Sequence, residues 1–212
     1  TSNSFECRLQ EPSNLNDIHP NETICYLVGE EGSWNLGNSL VQFGKRTTNQ
    51  MVLRGSVRIH FPTAYSNTPS LLTQVQTTND SAFVGTRIRA LTKSYFNVGL
   101  EEEERTNKGS HKNEIIGWMS ITRGMFINRE IKVQSYNVAG ITHRTKTITY
   151  PNTYTEKPFL FTKISSYRGR DPGNTRIVSN SSTEFRIKIQ EDKSRDQETR
   201  HTSETISYVA IL

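Results

Sequence analysis

Alternation with a period of two runs through the chain. In Phe185-Arg186-Ile187-Lys188-Ile189-Gln190 the apolar side chains fall on one face and the polar ones on the other, and Phe96-Asn97-Val98-Gly99-Leu100 repeats the pattern. Val57-Arg58-Ile59-His60-Phe61, Ile148-Thr149-Tyr150 and Ile206-Ser207-Tyr208 read alike. Such alternation describes strands with one face buried and one solvated, and the Thr, Val, Ile and aromatic residues that fill these runs suit a pleated surface. Between them stand Asn35-Leu36-Gly37-Asn38, Asn107-Lys108-Gly109 and Gly169-Arg170-Asp171-Pro172-Gly173-Asn174, which supply the positive or preset φ of turns. No run of ten or more residues has helical amphipathicity with caps. The pattern predicts an all-β fold of antiparallel β-sandwich units, with five to seven strands in each.

The strands belong to a repeat. Phe5, Leu9, Gln10, Glu11, His19, Glu22, Ile24 and Tyr26 return in order as Phe96, Leu100, Glu101, Glu102, His111, Glu114, Ile116 and Trp118, then as Phe185, Ile189, Gln190, Glu191, His201, Glu204, Ile206 and Tyr208. A second signature precedes the last two copies. Phe61-Pro62, Tyr65, Pro69, Thr73 and Thr86-Arg87-Ile88 match Tyr150-Pro151, Tyr154, Pro158, Thr162 and Thr175-Arg176-Ile177, each pair 89 positions apart. Cutting after each tail gives tandem domains of about 90 residues, a domain-sized period, at 29–120 and 121–212. Residues 1–28 are then the back half of a third unit, a source of donor strands. Phe5, Cys7, Leu9, Ile24 and Tyr26 occupy inward positions there, and a strand pair without a facing sheet is marginally stable. The expected outcome is head-to-tail association with copies of the same protein, as a filament or a covalent array.

Composition narrows the function. Hydrophobic residues make up 33% of the 212 and mean hydropathy is −0.65, so each core is thin. No segment approaches the ~20 apolar residues of a membrane-crossing helix, which argues against membrane insertion. Net charge is +5, but the cations are interleaved with Glu101 to Glu104 and with Glu191, Asp192 and Asp196, and no aromatic-plus-basic nucleic-acid motif accompanies them. Nucleic acid is therefore not an expected partner. The only cysteines are Cys7 and Cys25. Either Cys7 is a buried free thiol at the place of Val98 and Ile187, or the two form a disulfide, against which their opposite strand phase argues.

The order of an aromatic-Pro strand end, a Tyr before a Pro, an Arg-Ile strand, a Phe-led strand and a last strand ending Ile-x-aromatic-x-x-Ile resembles the H-type lectin domain. Ile59-His60-Phe61-Pro62 through Ile116-Gly117-Trp118-Met119-Ser120-Ile121 carries it, with a second copy from Ile148 to Ile211. The resemblance implies an antiparallel β-sandwich, often trimeric, that binds N-acetylgalactosamine and related sugars. Of the family's sugar contacts, the arginine matches at Arg87 and Arg176, whereas the Trp-His pair has no counterpart in the loops Glu101 to Lys112 and Glu191 to Arg200. The two arginines read either as sugar contacts or as structural partners of the Glu-rich strand ends.

Each tail also sets carboxylates around a histidine: Glu11, His19, Glu22; Glu102, His111, Glu114; Glu191, His201, Glu204. Two carboxylates and an imidazole suit a divalent metal, but His and Glu three apart on an extended strand face opposite sides. A hydrogen-bonded clasp pinning the hairpin is the preferred reading. No nucleophile-base pair points to an enzyme, and no cofactor is implied. Asn21-Glu22-Thr23, Asn79-Asp80-Ser81 and Asn180-Ser181-Ser182 are N-glycosylation sequons, expected on exposed loops. Together these features predict a non-enzymatic extracellular structural or adhesive glycoprotein, secreted or at the cell surface. The alternative is a carbohydrate-binding lectin whose partners are cell-surface glycans.

Overall fold

A computed structural model describes residues 4–16, 18–106, 109–128 and 131–212. Its strands form four antiparallel sheets. β1 (Gly32–Leu36), β2 (Ser39–Thr48), β7 (Glu114–Ile121) and β4 (Ser70–Val75) build one in the order β1-β2-β7-β4, and β3 (Val57–His60), β6 (Tyr95–Glu102) and β5 (Val84–Leu91) build its partner in the order β3-β6-β5. The second pair repeats the first: β8 (Gly124–Asn128), β9 (Ile131–Ile141), β14 (Glu204–Ile211) and β11 (Phe159–Ile164) in the order β8-β9-β14-β11, facing β10 (Lys146–Thr149), β13 (Glu184–Glu191) and β12 (Gly173–Asn180) in the order β10-β13-β12. Even the irregularities repeat, since β5 bulges between Ile88 and Ala90 and β12 between Ile177 and Ser179.

Inward alternation supplies the two cores. Phe96, Val98, Leu100, Ile116 and Trp118 lie with Phe61 and Tyr65 in the first, and Phe185, Ile187, Ile189, Ile206 and Tyr208 with Tyr150 and Tyr154 in the second. Their aromatic contacts superpose in detail. Phe96 meets Trp118 edge-on at 5.5 Å and 67°, and Phe185 meets Tyr208 at 5.1 Å and 68°. Phe61 and Tyr65 pack at 5.2 Å and 90°, Tyr150 and Tyr154 at 5.1 Å and 87°. Edge-to-face pairs of this kind add about 0.5–1.5 kcal/mol beyond area burial.

The N-terminal segment departs from expectation. Among its described residues none is in a strand before Gly32, because Phe5 to Glu11 and Glu22 to Val28 lack the sheet partners their counterparts have. Phe5, Cys7, Leu9, Ile24 and Tyr26 are all exposed. Both cysteines are free and exposed, which corrects both earlier alternatives, the buried thiol and the disulfide. With no sheet laid against this segment, nothing covers Cys7 or draws it to Cys25. Residues 107 and 108 of the expected Asn107-Lys108-Gly109 turn lie outside the described residues; Gly109 has φ 83°.

Candidate functional site

Both tails build the same clasp. His111 Nδ1 lies 2.8 Å from Glu102 Oε1, and its Nε2 lies 3.3 Å from Glu114 Oε1. Glu114 also accepts from the N–H groups of Asn79 and Asp80 at 2.8 and 3.1 Å and from the Thr77 hydroxyl. In the second unit His201 Nδ1 lies 2.7 Å from Glu191 Oε1, and Nε2 is 3.6 Å from Glu204 Oε1. Glu204 accepts from the N–H groups of Arg168 and Gly169 at 2.8 and 2.9 Å and from the Ser166 hydroxyl. The objection from opposite strand faces fails here, because His111 and His201 precede β7 and β14 rather than lie on them. Protein donors occupy Glu114 and Glu204, and among the described residues no group of three or more His, Cys, Asp or Glu is placed to hold a metal ion.

One cation distinguishes the second clasp. Arg87, on β5 of the first unit, reaches across so that its Nη2 donates to Glu204 Oε1 at 2.7 Å and to the Gly169 carbonyl at 3.2 Å. Its Nη1 is 3.6 Å from Glu101 Oε2, its guanidinium lies 5.4 Å from the Tyr167 ring centre, and the residue is 0% exposed. Gly169 lets its loop lie close against the clasp histidine: a Cβ there would be 3.0 Å from the His201 ring.

The charges follow from this burial. Burial alone would raise the Glu204 carboxyl, but the His201 ring beside it and hydrogen bonds from Ser166, Gly169 and Arg168 outweigh it and hold it at about 2. Glu101 has no such set of donors, and burial pushes it up to about 7 despite Arg87. Burial likewise pushes Lys163 down to about 8, against the attraction of Glu101. For His201 burial acts downward, but the neighbouring Glu204 carboxylate and the hydrogen bond to Glu191 win and raise it above its ordinary value. Of these groups, Glu204 is the carboxylate held well below its ordinary range, and it is the one that faces Arg87.

An apolar seam runs beside the ion pair. Val41, Met119 and Ile121 of the first unit join Val133 and Val209 of the second in a third core, with Phe43, Leu72, Phe126 and Ile211 against it. β4 packs on β14, β11 and β9, and Asn137 Nδ2 donates to the Pro69 carbonyl at 2.9 Å. The tail loops meet as well: the Glu104 N–H donates to Asp192 Oδ2 at 2.6 Å and the Arg105 N–H to Ser194 Oγ at 3.0 Å. The sequence did carry a signal for the seam. Ile116-Gly117-Trp118-Met119-Ser120-Ile121 is apolar on both faces, as a strand covered on both sides must be.

The other sequence-derived residues are more scattered. Arg176 is exposed, its side chain at 58%, with Nη2 3.9 Å from Glu22 Oε1. Tyr167 stacks near Arg87 and Arg89 inside the joint, and Tyr95 carries Arg58 at 4.0 Å, so neither forms an open wall beside Arg87. Asn21 is exposed. Asn79 is exposed, but its Nδ2 donates to the Asn113 carbonyl at 2.7 Å. Asn180 corrects the exposed-loop expectation: it ends β12, half-buried, with Nδ2 donating to the Pro158 carbonyl at 2.8 Å and Oδ1 accepting from the Tyr150 hydroxyl at 2.7 Å.

No protein-family model matches the chain, and no solved structure matches it. Neither comparison supports the H-type lectin resemblance; what the structure shows is an all-β architecture of paired antiparallel sheets. Among curated proteins, halomucin from Haloquadratum walsbyi (strain DSM 16790 / HBSQ001) is similar, with 28% identity over 214 residues that cover 99% of this chain. The chain spans about 2% of that protein's length.

Proposed function

We propose that this chain is a non-enzymatic segment of an extracellular, surface-associated structural or adhesive glycoprotein, in which β-sandwich repeats are joined in series by interlocking. The observation that carries this reading is the burial of Arg87 of one unit in the Glu204 clasp of the next. A flexible linker between independent beads needs no such contact, and an unpaired charge buried there would cost several kcal/mol. The likeness to halomucin, over nearly the whole chain but a small fraction of a far longer protein, supports a surface location. Copies of the same unit are the natural partners, and a filament is the form the array takes if the contacts stay open. The exposed Asn21 sequon supports glycosylation. Among the described residues no helix is long and apolar enough to cross a membrane.

Protease added outside intact cells, with immunogold labelling before and after, tests the location. Loss of the label is expected, and a protein protected until lysis would sink the reading. Lectin activity is the second reading, favoured by the exposed guanidinium of Arg176 alone, since Arg87 is sealed. N-acetylgalactosamine binding that disappears in Arg176→Ala would establish it.

A further inference from the structure

The first sandwich is open at an edge where the second is closed. A cavity of about 560 Å³ lies there between β2 and β3, within the range of about 300–1,000 Å³ that ligand sites occupy. Trp118 and Ile59 supply its apolar wall, and Arg46, Arg58 and His60 stand around them. The opening originates in the register of β2. Gly44 and Arg46 pair with Trp118 and Ile116 of β7, both of them core residues, so Gly44 and Arg46 face the space between the two sheets. A Cβ on Gly44 would lie 2.4 Å from Trp118 Cζ2 and 3.0 Å from its Nε1. Only glycine fits there, and bare backbone is left over the nitrogen-bearing edge of the indole.

The second sandwich has the same fold with neither the gap nor the charges. Opposite Tyr208, the counterpart of Trp118, stands Tyr136 instead of glycine, and the two rings pack at 5.8 Å and 37°. By the same register Val138 takes the place of Arg46, and on β10 Thr147 and Thr149 take those of Arg58 and His60. The cations are therefore not a requirement of the sandwich. Lys45, beside them, is paired with Glu31 at 2.6 Å, but among the described residues neither Arg46 nor Arg58 is ion-paired. Arg58 is held in place by the Tyr95 ring, 4.0 Å from its guanidinium, and by Asn97 Oδ1, which accepts from its Nε at 3.3 Å. Trp118 adds an unused donor. It is 7% exposed, and its Nε1 is buried with no hydrogen-bond partner among the described residues, whereas buried donors are nearly always paired. The indole of Trp34, by contrast, donates to the Glu30 carbonyl at 3.3 Å.

We propose that this cavity binds a carboxylate carried on a six-membered ring. The ring takes the space that Tyr136 fills in the second unit and lies against Trp118 and Ile59. The carboxylate meets Arg46 and Arg58, whose planar guanidinium forks match its two oxygens, and a polar atom of the ligand accepts from the Trp118 N–H. A bare anion lacks the body to fill the cavity, and a neutral ring leaves both guanidinium groups unmatched. Two sources carry this chemistry, an acidic sugar and an aromatic acid, and the same wall and cations serve both. The site is separate from Arg176 and from the Arg87 joint, so it depends neither on lectin activity there nor on the interlocking of the units.

Nitrogen-15 NMR of the full chain, titrated separately with glucuronate, benzoate, glucose and inorganic sulfate, tests this. The Trp118 indole N–H signal, told from that of Trp34 by Trp34→Phe, should move saturably with glucuronate or benzoate, and whichever binds more tightly names the source. Glucose and sulfate should bind at least about tenfold more weakly than that ligand. Arg46→Val and Arg58→Thr install the second unit's residues at exposed positions, and each should weaken binding at least about tenfold. Arg176→Ala should leave it unchanged. The site is refuted if neither carboxylate moves the signal, if glucose or sulfate binds as tightly, if either rim variant binds like the parent, or if Arg176→Ala abolishes binding. Should one rim variant fail to fold, the other decides alone.

Discussion

Glu204→Gln removes the anion from a site where the Arg87 guanidinium is already sealed from water. The amide still offers an oxygen to the N–H groups of Arg168 and Gly169, so the loss is chiefly electrostatic. Arg87 is then left with Glu101 at 3.6 Å, a carboxyl that burial pushes up to about 7. Breaking a buried pair from one side costs about 3–5 kcal/mol. Glu114→Gln is the internal control, since Glu114 sits in the same clasp without the Arg87 contact. It should lose only charge-assisted hydrogen bonding, about 1–2 kcal/mol. Arg87→Met combined with Glu204→Gln leaves no orphan charge, so the double variant should recover about 2 kcal/mol relative to the sum of the singles. Urea unfolding of the full chain, fitted with an allowance for the two units melting separately, reads all four values. If Glu204→Gln costs no more than Glu114→Gln, or if the singles add, the joint is not held by this pair.

Stability should also follow pH. Glu204 titrates at about 2 in the folded chain and near its ordinary value unfolded, so its contribution, about 3 kcal/mol, is present above roughly pH 4.5 and lost as pH falls toward 2. Glu101, raised to about 7, and His201, raised above its ordinary value, act oppositely, and their contributions are lost as pH rises through their folded values. Urea midpoints across the pH range should therefore peak at about pH 4–5, and an acid limb unchanged in Glu204→Gln would contradict the assignment. Phe185→Ala, at a fully buried ring between Tyr150 and Tyr208, should cost about 3–5 kcal/mol in the same assay; a loss under about 1 kcal/mol would argue against the core. Peptide mapping of native material should find glycan at Asn21 and none at Asn180, whose amide is bonded at both ends; the opposite pattern would refute the exposure argument.

The sandwich was legible because alternation and the repeat agree. The same five tail positions are apolar in all three tails, and in the two complete units the structure buries them around the same aromatic geometry. The clasp residues were legible as types, but not the reason they meet, since the bend that turns His111 and His201 back onto the following glutamates lies in loops without periodicity. The joint was hardest to read. Arg87 and Arg176 are indistinguishable in sequence, and one is sealed while the other is exposed because only Arg87 has a complete unit in front of it. Gly169, Tyr167 and Lys163, which complete the joint, fall in or beside a loop where no local pattern marks a long-range partner. The tail failed as strands for the same reason: its pattern is right, but the sheet that would pair with it is absent from residues 29–212.

The most direct test of the interlocking account is the exchange of the Arg87 guanidinium protons, followed by nitrogen-15 NMR on the intact chain. A proton held between Arg87 Nη2 and Glu204 and shielded from water should exchange orders of magnitude more slowly than those of an exposed arginine such as Arg176. It should also shift when Glu204→Gln is introduced. Exchange of Arg87 as fast as that of Arg176, unaffected by that substitution, would mean that the two repeats are not locked together through this residue.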